Sequence, residues 1–223
     1  MEIIFDIKGS TGIIILNRPR ALNALNLSMA EQLTKKLKEW EKDNKIKRVL
    51  LRGEGNHFCA GGDVKSVHLS GEHSKLKRDF FSKEYALNLQ IKKFPKPYLS
   101  IWKGVVMGGG VGLSIYGDYR VATEMTKFAM PETSIGFFPD VGGSFFLSKL
   151  QNNIGKYIGL TSEVINSRDL LNFGLATHYC PENKLDDFID NYISDGVVRN
   201  YKTSISSLFS DKKLDFINKN FSG

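Results

Sequence analysis

Residues 107–112, MGGGVG, place four glycines within five consecutive positions, and no other stretch of the chain restricts the backbone so strongly. Each glycine loses more conformational freedom on folding than any other residue, so such a run is kept where backbones approach closely or φ turns positive. Residues 98–102 (YLSIW) before it read as a strand, and VGLSIY within and after it is compatible with a helix. A glycine turn between strand and helix leaves free N–H groups at the helix start, where an anion or an oxygen about to become negative is bound. Close packing of that helix on a sheet is the alternative, and the turn by itself does not separate the two.

The flanking sequence supplies a frame for this turn. Residues 2–7 (EIIFDI) and 11–16 (TGIIIL) read as a β-hairpin, ended by Pro19. Ser28, with Glu31 three residues on, predicts an N-cap; Met29, Leu33, Leu37 and Trp40 follow at helical spacing to about Asp43. Residues 47–52 (KRVLLR) predict a buried strand beside the first two. A second small-residue loop, residues 53–63 (GEGNHFCAGGD), then precedes another helix, as the glycine turn does. In parallel sheets with crossover helices, ligands bind at the carboxyl ends of the strands, so the two loops are expected to face one pocket. Two converging backbone N–H groups make an oxyanion hole.

Three carboxylates stand out by position. In the helix predicted over 75–91, Phe80, Leu87 and Ile91 form an apolar stripe, and Glu84 falls inside it. A carboxylate on a buried face needs a partner or a task, the partner being a lysine or a helix end. Glu132 and Asp140 each adjoin a proline in apolar sequence, after short strands at 119–122 and 127–130. A helix is predicted over 141–150, which leaves Asp140 open to a role as its N-cap. Further on, helices are expected at 154–160, 167–171 and 184–193, and an extended segment at 176–180. No internal repeat is visible, and beyond Gly196 the polar, lysine-rich tail reads as loosely folded.

The same reading excludes several chemistries. There is no G-x-S-x-G, H-E-x-x-H or P-loop pattern, and Leu113 and Ile115 break G-x-G-x-x-G. His57, His68, His73 and His178 lack metal-ligand spacing, as do Cys59 and Cys180, so neither a metal nor a disulfide is expected. With 223 residues and 41% apolar content the chain suits one domain plus an appendage. No run is long enough to span a membrane, and the start shows no signal or transit segment. A net charge of +7 favours anionic ligands, but the lysines are dispersed. Solvated helix faces explain that dispersal, a phosphorylated small ligand fits it, and nucleic-acid binding is disfavoured. Two glycine loops and three acids remain, a set suited to a carbonyl whose oxygen becomes negative.

FCAGGD, MGGGVGLS, FAMPETSIGFFPDVGG and the opening LNRPRALNALN together resemble the enoyl-CoA hydratase/isomerase (crotonase) superfamily, and within it the 3-hydroxyisobutyryl-CoA hydrolase branch, over about residues 3–195. The resemblance implies an α/β fold, a crotonase-like spiral of repeated ββα units with flanking helices. It implies a catalytic, acyl-CoA-binding domain over 1–195 and, over 196–223, the start of a C-terminal helical region; family hydrolases continue further, so the chain reads as truncated. By the same resemblance, the amides of Gly62 and Gly109 form the oxyanion hole, Glu132 is the principal catalytic carboxylate, Asp140 the second acid and Glu84 a helix-borne substrate contact. Glu84, Gly109, Glu132 and Asp140 are thereby the substrate-binding set, and no cofactor is needed, CoA being part of the substrate.

Hydratases of the superfamily carry a second glutamate in the helix after the glycine turn, and here that place is Gly112. The implied reaction is therefore hydrolysis of a short-chain 3-hydroxyacyl-CoA, 3-hydroxyisobutyryl-CoA in valine degradation, with Glu132 attacking the carbonyl or activating water. An isomerase or hydratase of the same superfamily, and a non-catalytic RNA- or acyl-CoA-binding relative, are the alternatives. The resemblance is compatible with a homo-oligomer, in the cytoplasm of a bacterium or the mitochondrial matrix of a eukaryote.

Overall fold

Isoleucine-rich strands open the chain in the computed structural model, which describes residues 1–69, 71 and 74–222, save the side chain of Val67; His73 lies outside the described residues. Strands β1 (Ile3–Lys8) and β2 (Thr11–Leu16) pair antiparallel, Ile3 opposite Leu16. Helix α1 (Leu27–Lys42) buries Met29, Leu33, Leu37 and Trp40, as their spacing predicts. Its cap is Asn26 rather than Ser28. The Asn26 side chain accepts the Met29 amide at 2.9 Å and donates to Glu2 at 2.9 Å, and this tertiary tie moves the start upstream of the sequence-level signal.

Next come β3 (Arg48–Gly53), α2 (Val64–Leu69), α3 (Leu76–Lys93), β4 (Tyr98–Trp102), β5 (Val105–Met107) and α4 (Gly109–Gly112). They are followed by β6 (Tyr119–Ala122), β7 (Lys127–Ala129), α5 (Gly143–Leu147), α6 (Ile154–Thr161), β8 (Ile165–Asn166) and α7 (Ser167–Asn172). The last elements are β9 (His178–Tyr179), α8 (Leu185–Asp195) and α9 (Asp211–Asn220). One sheet has the order β1-β2-β3-β4-β6-β9, parallel from β2 onward, and a smaller one has the order β5-β7-β8.

A spiral results from the repeated path between the two sheets. The chain leaves β4 in the large sheet, adds β5 to the small one and enters α4; it then leaves β6, adds β7 and enters the helices at α5. Earlier turns do the same with single parallel bridges in place of short strands, Leu25 to Gly62 before α1 and Cys59 to Val106 before α2. Alternating side chains load both faces of the large sheet, as buried parallel strands require. Leu50, Leu99 and Val121 meet Phe188 and Tyr192 of α8, while Val49, Leu51 and Trp102 join the core that includes Leu37 of α1 and Leu87 of α3.

Some expected elements are shorter. The helix expected after the glycine turn is α4 alone; one further helical bond, from the Ile115 amide to the Val111 carbonyl at 2.8 Å, follows before the chain turns, the Gly117 amide bonding the Ser114 carbonyl at 3.0 Å. Helix α5 starts at Gly143 after Gly142, so Asp140 does not cap it. The tail is also more ordered than its composition predicts. Residues 196–210 have no helix or strand, but α9 buries Ile217, and the rings of Phe209 and Phe221 pack edge-on to Tyr157 of α6.

Candidate active site

Glu84 shows how the fold assembles this site. Helix α3 buries Phe80, Glu84, Leu87, Asn88 and Ile91 on one stripe, and Glu84 is 2% exposed. No lysine pairs with it among the described residues, and its Oε1 lies against the start of α4 at Gly109 but is buried without a hydrogen-bond partner among the described residues. Burial pushes its pKa up to about 8, and the charges of Asp140 and Glu132 push in the same direction.

The two glycine loops run side by side. Cys59 donates its amide to the Val105 carbonyl and Met107 donates to the Cys59 carbonyl, both at 3.0 Å, which lays residues 59–62 along β5. From the other side Arg18 donates to Asp63 at 2.9 Å and to the Ala24 carbonyl at 2.7 Å. Gly108 takes φ +47 and ψ −118, a conformation that side chains with a Cβ rarely adopt. A methyl group on Gly109 would lie 2.3 Å from Glu84 Oε1 and 3.0 Å from the Gly62 nitrogen, and one on Gly108 would lie 2.8 Å from Glu132 Oε1. The approach is thus too close for any side chain. Neither the Gly62 nor the Gly109 amide finds an acceptor among the described residues, so two free donors sit beside two carboxylates.

Glu132 opens a short 3-10 segment, Glu132–Ile135, where Pro131 ends the extension of β7. It is 7% exposed, its Oε2 has no partner among the described residues, and burial raises its pKa to about 7, with Asp140 adding to the rise. Asp140 follows the Phe137–Phe138–Pro139 turn. Its carboxylate accepts the Tyr85 hydroxyl at 2.8 Å; burial raises its pKa while that bond pulls it down. All five residues expected at the site, Gly62, Glu84, Gly109, Glu132 and Asp140, therefore meet at one place.

Two further residues belong to this place and escape sequence reasoning. Tyr85 lies off the apolar stripe, on what reads as an exposed position. Asn88 lies on the stripe one turn after Glu84, so the argument that singles out Glu84 applies to it as well; neither its Oδ1 nor its Nδ2 has a partner among the described residues. At Gly112 a methyl group would lie 2.7 Å from Val141 Cβ and 2.9 Å from Asn88 Nδ2, so there is no room for a side chain. Val141 itself holds φ +45, a strained value for a β-branched residue. A cavity of about 320 Å³ lies behind Tyr85, lined by Asn88, Lys92, Tyr116 and Val141 among others. A larger one, about 530 Å³, lies between α5 and α6 and shares only the Phe138–Pro139 turn with the acids' surroundings. Among the described residues no group of three or more His, Cys, Asp or Glu is placed to hold a metal ion.

Comparison with known proteins places this geometry. A family model described as enoyl-CoA hydratase/isomerase matches residues 11–219. The chain is 46% identical over 187 residues to a Danio rerio protein named 3-hydroxyisobutyryl-CoA hydrolase, mitochondrial, covering 83% of this chain and 49% of that protein. A human protein of the same name is 41% identical over 239 residues, covering 99% of this chain and 61% of its own length. The chain thus spans about half to three fifths of the length of these relatives. Among solved structures, a carnitinyl-CoA dehydratase from Mycobacterium thermoresistibile superposes with a TM-score of 0.94 at 38% identity, over 100% of this chain and 67% of that one.

Proposed function

The chain belongs to the enoyl-CoA hydratase/isomerase family, and from that premise we propose that it hydrolyses a short-chain 3-hydroxyacyl-CoA thioester, 3-hydroxyisobutyryl-CoA foremost, to the free hydroxy acid and CoA. The observation that carries this reading is the meeting of the free Gly62 and Gly109 amides with the Glu132 carboxylate. In this reading the two amides hold the thioester oxygen as it becomes negative, each contributing on the order of 3 kcal/mol in the transition state. Glu132, in its ionised form, attacks the carbonyl carbon or takes a proton from the water that does. The C–S bond then breaks, giving the free acid directly where water attacked, or a mixed anhydride on Glu132 that a water then opens where the carboxylate attacked; Asp140 orients the substrate hydroxyl or, when protonated, gives its proton to the departing thiolate. Glu84 contacts the substrate beside the amides. No group beyond the CoA of the substrate enters the scheme. Location follows the host in this reading: the matrix in a eukaryote, since the Danio rerio and human relatives are named mitochondrial, and the cytoplasm in a bacterium.

The similarity to a protein named a dehydratase favours one other reading, addition or removal of water at a double bond. The contact of Gly112 with Val141 and Asn88 argues against it, because a second glutamate cannot stand there. Incubation with 3-hydroxyisobutyryl-CoA and a thiol reagent separates the two, as only hydrolysis frees CoA. Glu132→Gln is expected to keep acyl-CoA binding while turnover falls to less than about a tenth, the scale of losing a positioned acid–base group. Retention of more than that fraction rules out Glu132 as the acting group. A single turnover in heavy-oxygen water tests its role: label in the protein carboxyl means that Glu132 attacked and that water opened the anhydride at its carboxyl carbon. With a pKa of about 7, the ionised form accumulates, and the rate rises, as pH increases through that value.

A further inference from the structure

Asp140 has one side-chain partner among the described residues, the Tyr85 hydroxyl, which donates to Oδ2 at 2.8 Å. The two groups come from different turns of the spiral, and their meeting is enforced by rings rather than by sequence proximity. Tyr85 directly follows the buried Glu84 on α3 and is 39% exposed. Its ring lies 5.9 Å from that of Phe81, one turn earlier on the same helix, and Phe81 stacks on Phe137 at 5.9 Å and 24°. Phe137 stands three residues before Asp140. The aromatic row thus ties the helix carrying the donor to the segment carrying the acceptor. The neighbouring phenol of Tyr116 is committed elsewhere, donating to the Val141 carbonyl at 2.8 Å.

We propose that Tyr85 is a positioning residue for the reaction, holding the Asp140 carboxylate in one orientation and in its charged form, which suits Asp140 to orienting the substrate hydroxyl rather than to protonating the thiolate; this role rests on the hydrolase reading above. The titratable groups facing Asp140 are Tyr85 and Glu84 from α3 and Glu132 from the 3-10 segment, two of them acids. Lys92 of α3 forms no ion pair with them among the described residues and lies 3.6 Å over the Phe145 ring. Among such neighbours a carboxylate is driven toward its neutral form, and a donated hydroxyl is what opposes this. Burial and the adjoining Asp140 push the Tyr85 hydroxyl above its usual range, so it remains a donor at every working pH. A hydrogen bond to a charged group is also shorter and stronger than a neutral one, which suits it to fixing a carboxylate beside a reacting carbonyl.

Tyr85→Phe tests this, because it removes the hydroxyl and keeps the ring on Phe81. In a carbon-13 titration, the carboxyl resonance that Asp140→Asn removes is expected to shift its midpoint upward by about one pH unit in Tyr85→Phe. For release of CoA, kcat is expected to fall about tenfold while KM stays within about twofold. An unmoved midpoint in Tyr85→Phe overturns the proposal, and so does an unchanged kcat or a rise in KM as large as the fall in kcat. Should Tyr85→Phe fail to fold, the deuterium isotope shift on the wild-type Asp140 resonance decides: present, the hydroxyl is donated, and absent, the proposal falls. A wild-type chain that shows the titration shift but frees no CoA from any acyl-CoA would leave the Tyr85–Asp140 relation standing and remove the hydrolase reading.

Discussion

Glu84 works against the stability of the fold that holds it. Its pKa is pushed up to about 8 from an ordinary 4.5, so the folded chain binds this proton more tightly than the unfolded one. The sign is fixed by linkage: between those two values the folded state carries more protons, and stability falls as pH rises. Glu132, raised to about 7, and Asp140, also raised, act in the same direction. Glu84→Gln keeps the volume and removes the titration. It is expected to stabilise the chain by roughly 1–3 kcal/mol at about pH 8, with the difference lost only below about pH 4, under the unfolded value, where the acid is neutral in both states. Thermal melts at the two pH values check this, and a difference independent of pH would show that the carboxyl is not held neutral by the fold. Glu84 was legible in the sequence because an acid inside a helical apolar stripe needs either a partner or a task, and the family resemblance supplied the task. Tyr85 was not, since its partner is 55 residues away and a tyrosine on an exposed helix position has many ordinary explanations.

The strand–turn–helix element around Gly108 sets how near the carboxylates come to the amides. Gly109→Ala places a methyl group on Glu84 Oε1 and close to the Gly62 nitrogen, so it must displace the acid or part the two loops. Turnover is expected to fall on the order of a hundredfold, the scale of losing one oxyanion donor, with the far-ultraviolet circular dichroism unchanged. A loss under about threefold would show that the spacing of the loops is not what matters. Hairpin, long helices and buried strands were readable from periodicity, because each spans enough residues to display a repeat. The repeated ββα path was not. Its second strand in each turn is three residues long at β5 and β7, and a single bridge at Leu25 and Cys59; only β7 is legible, as the strand expected at 127–130, and the others are too short to display a repeat. That path reached the reading only through family resemblance.

Across the whole molecule, the tail is packed on the body rather than appended to it. Leu208 donates its amide to Asp169 at 2.8 Å, and Phe209 and Ile217 are buried with α6 and α7. Ile217→Ala is expected to cost about 2–4 kcal/mol and to lower one cooperative melting transition. Two transitions would instead mark residues 196–222 as a unit that folds separately. A polar segment with four apolar anchors, Phe209, Leu214, Ile217 and Phe221, gives little sign in sequence that all four join the core and that Phe209 and Phe221 meet at Tyr157. The contact of Gly112 with Val141 joins two distant turns of the spiral in a similar way, and it bears on how such chains diverge. A glutamate at 112 is refused while Val141 and Asn88 stand, and a smaller residue at 141 opens a hollow next to Asp140 while 112 remains glycine. Each change is harmful before the other has occurred. If the chain acts through one glutamate as proposed, a single change at 112 or at 141 is not expected to convert it to a two-glutamate chemistry, and the two positions have to change together.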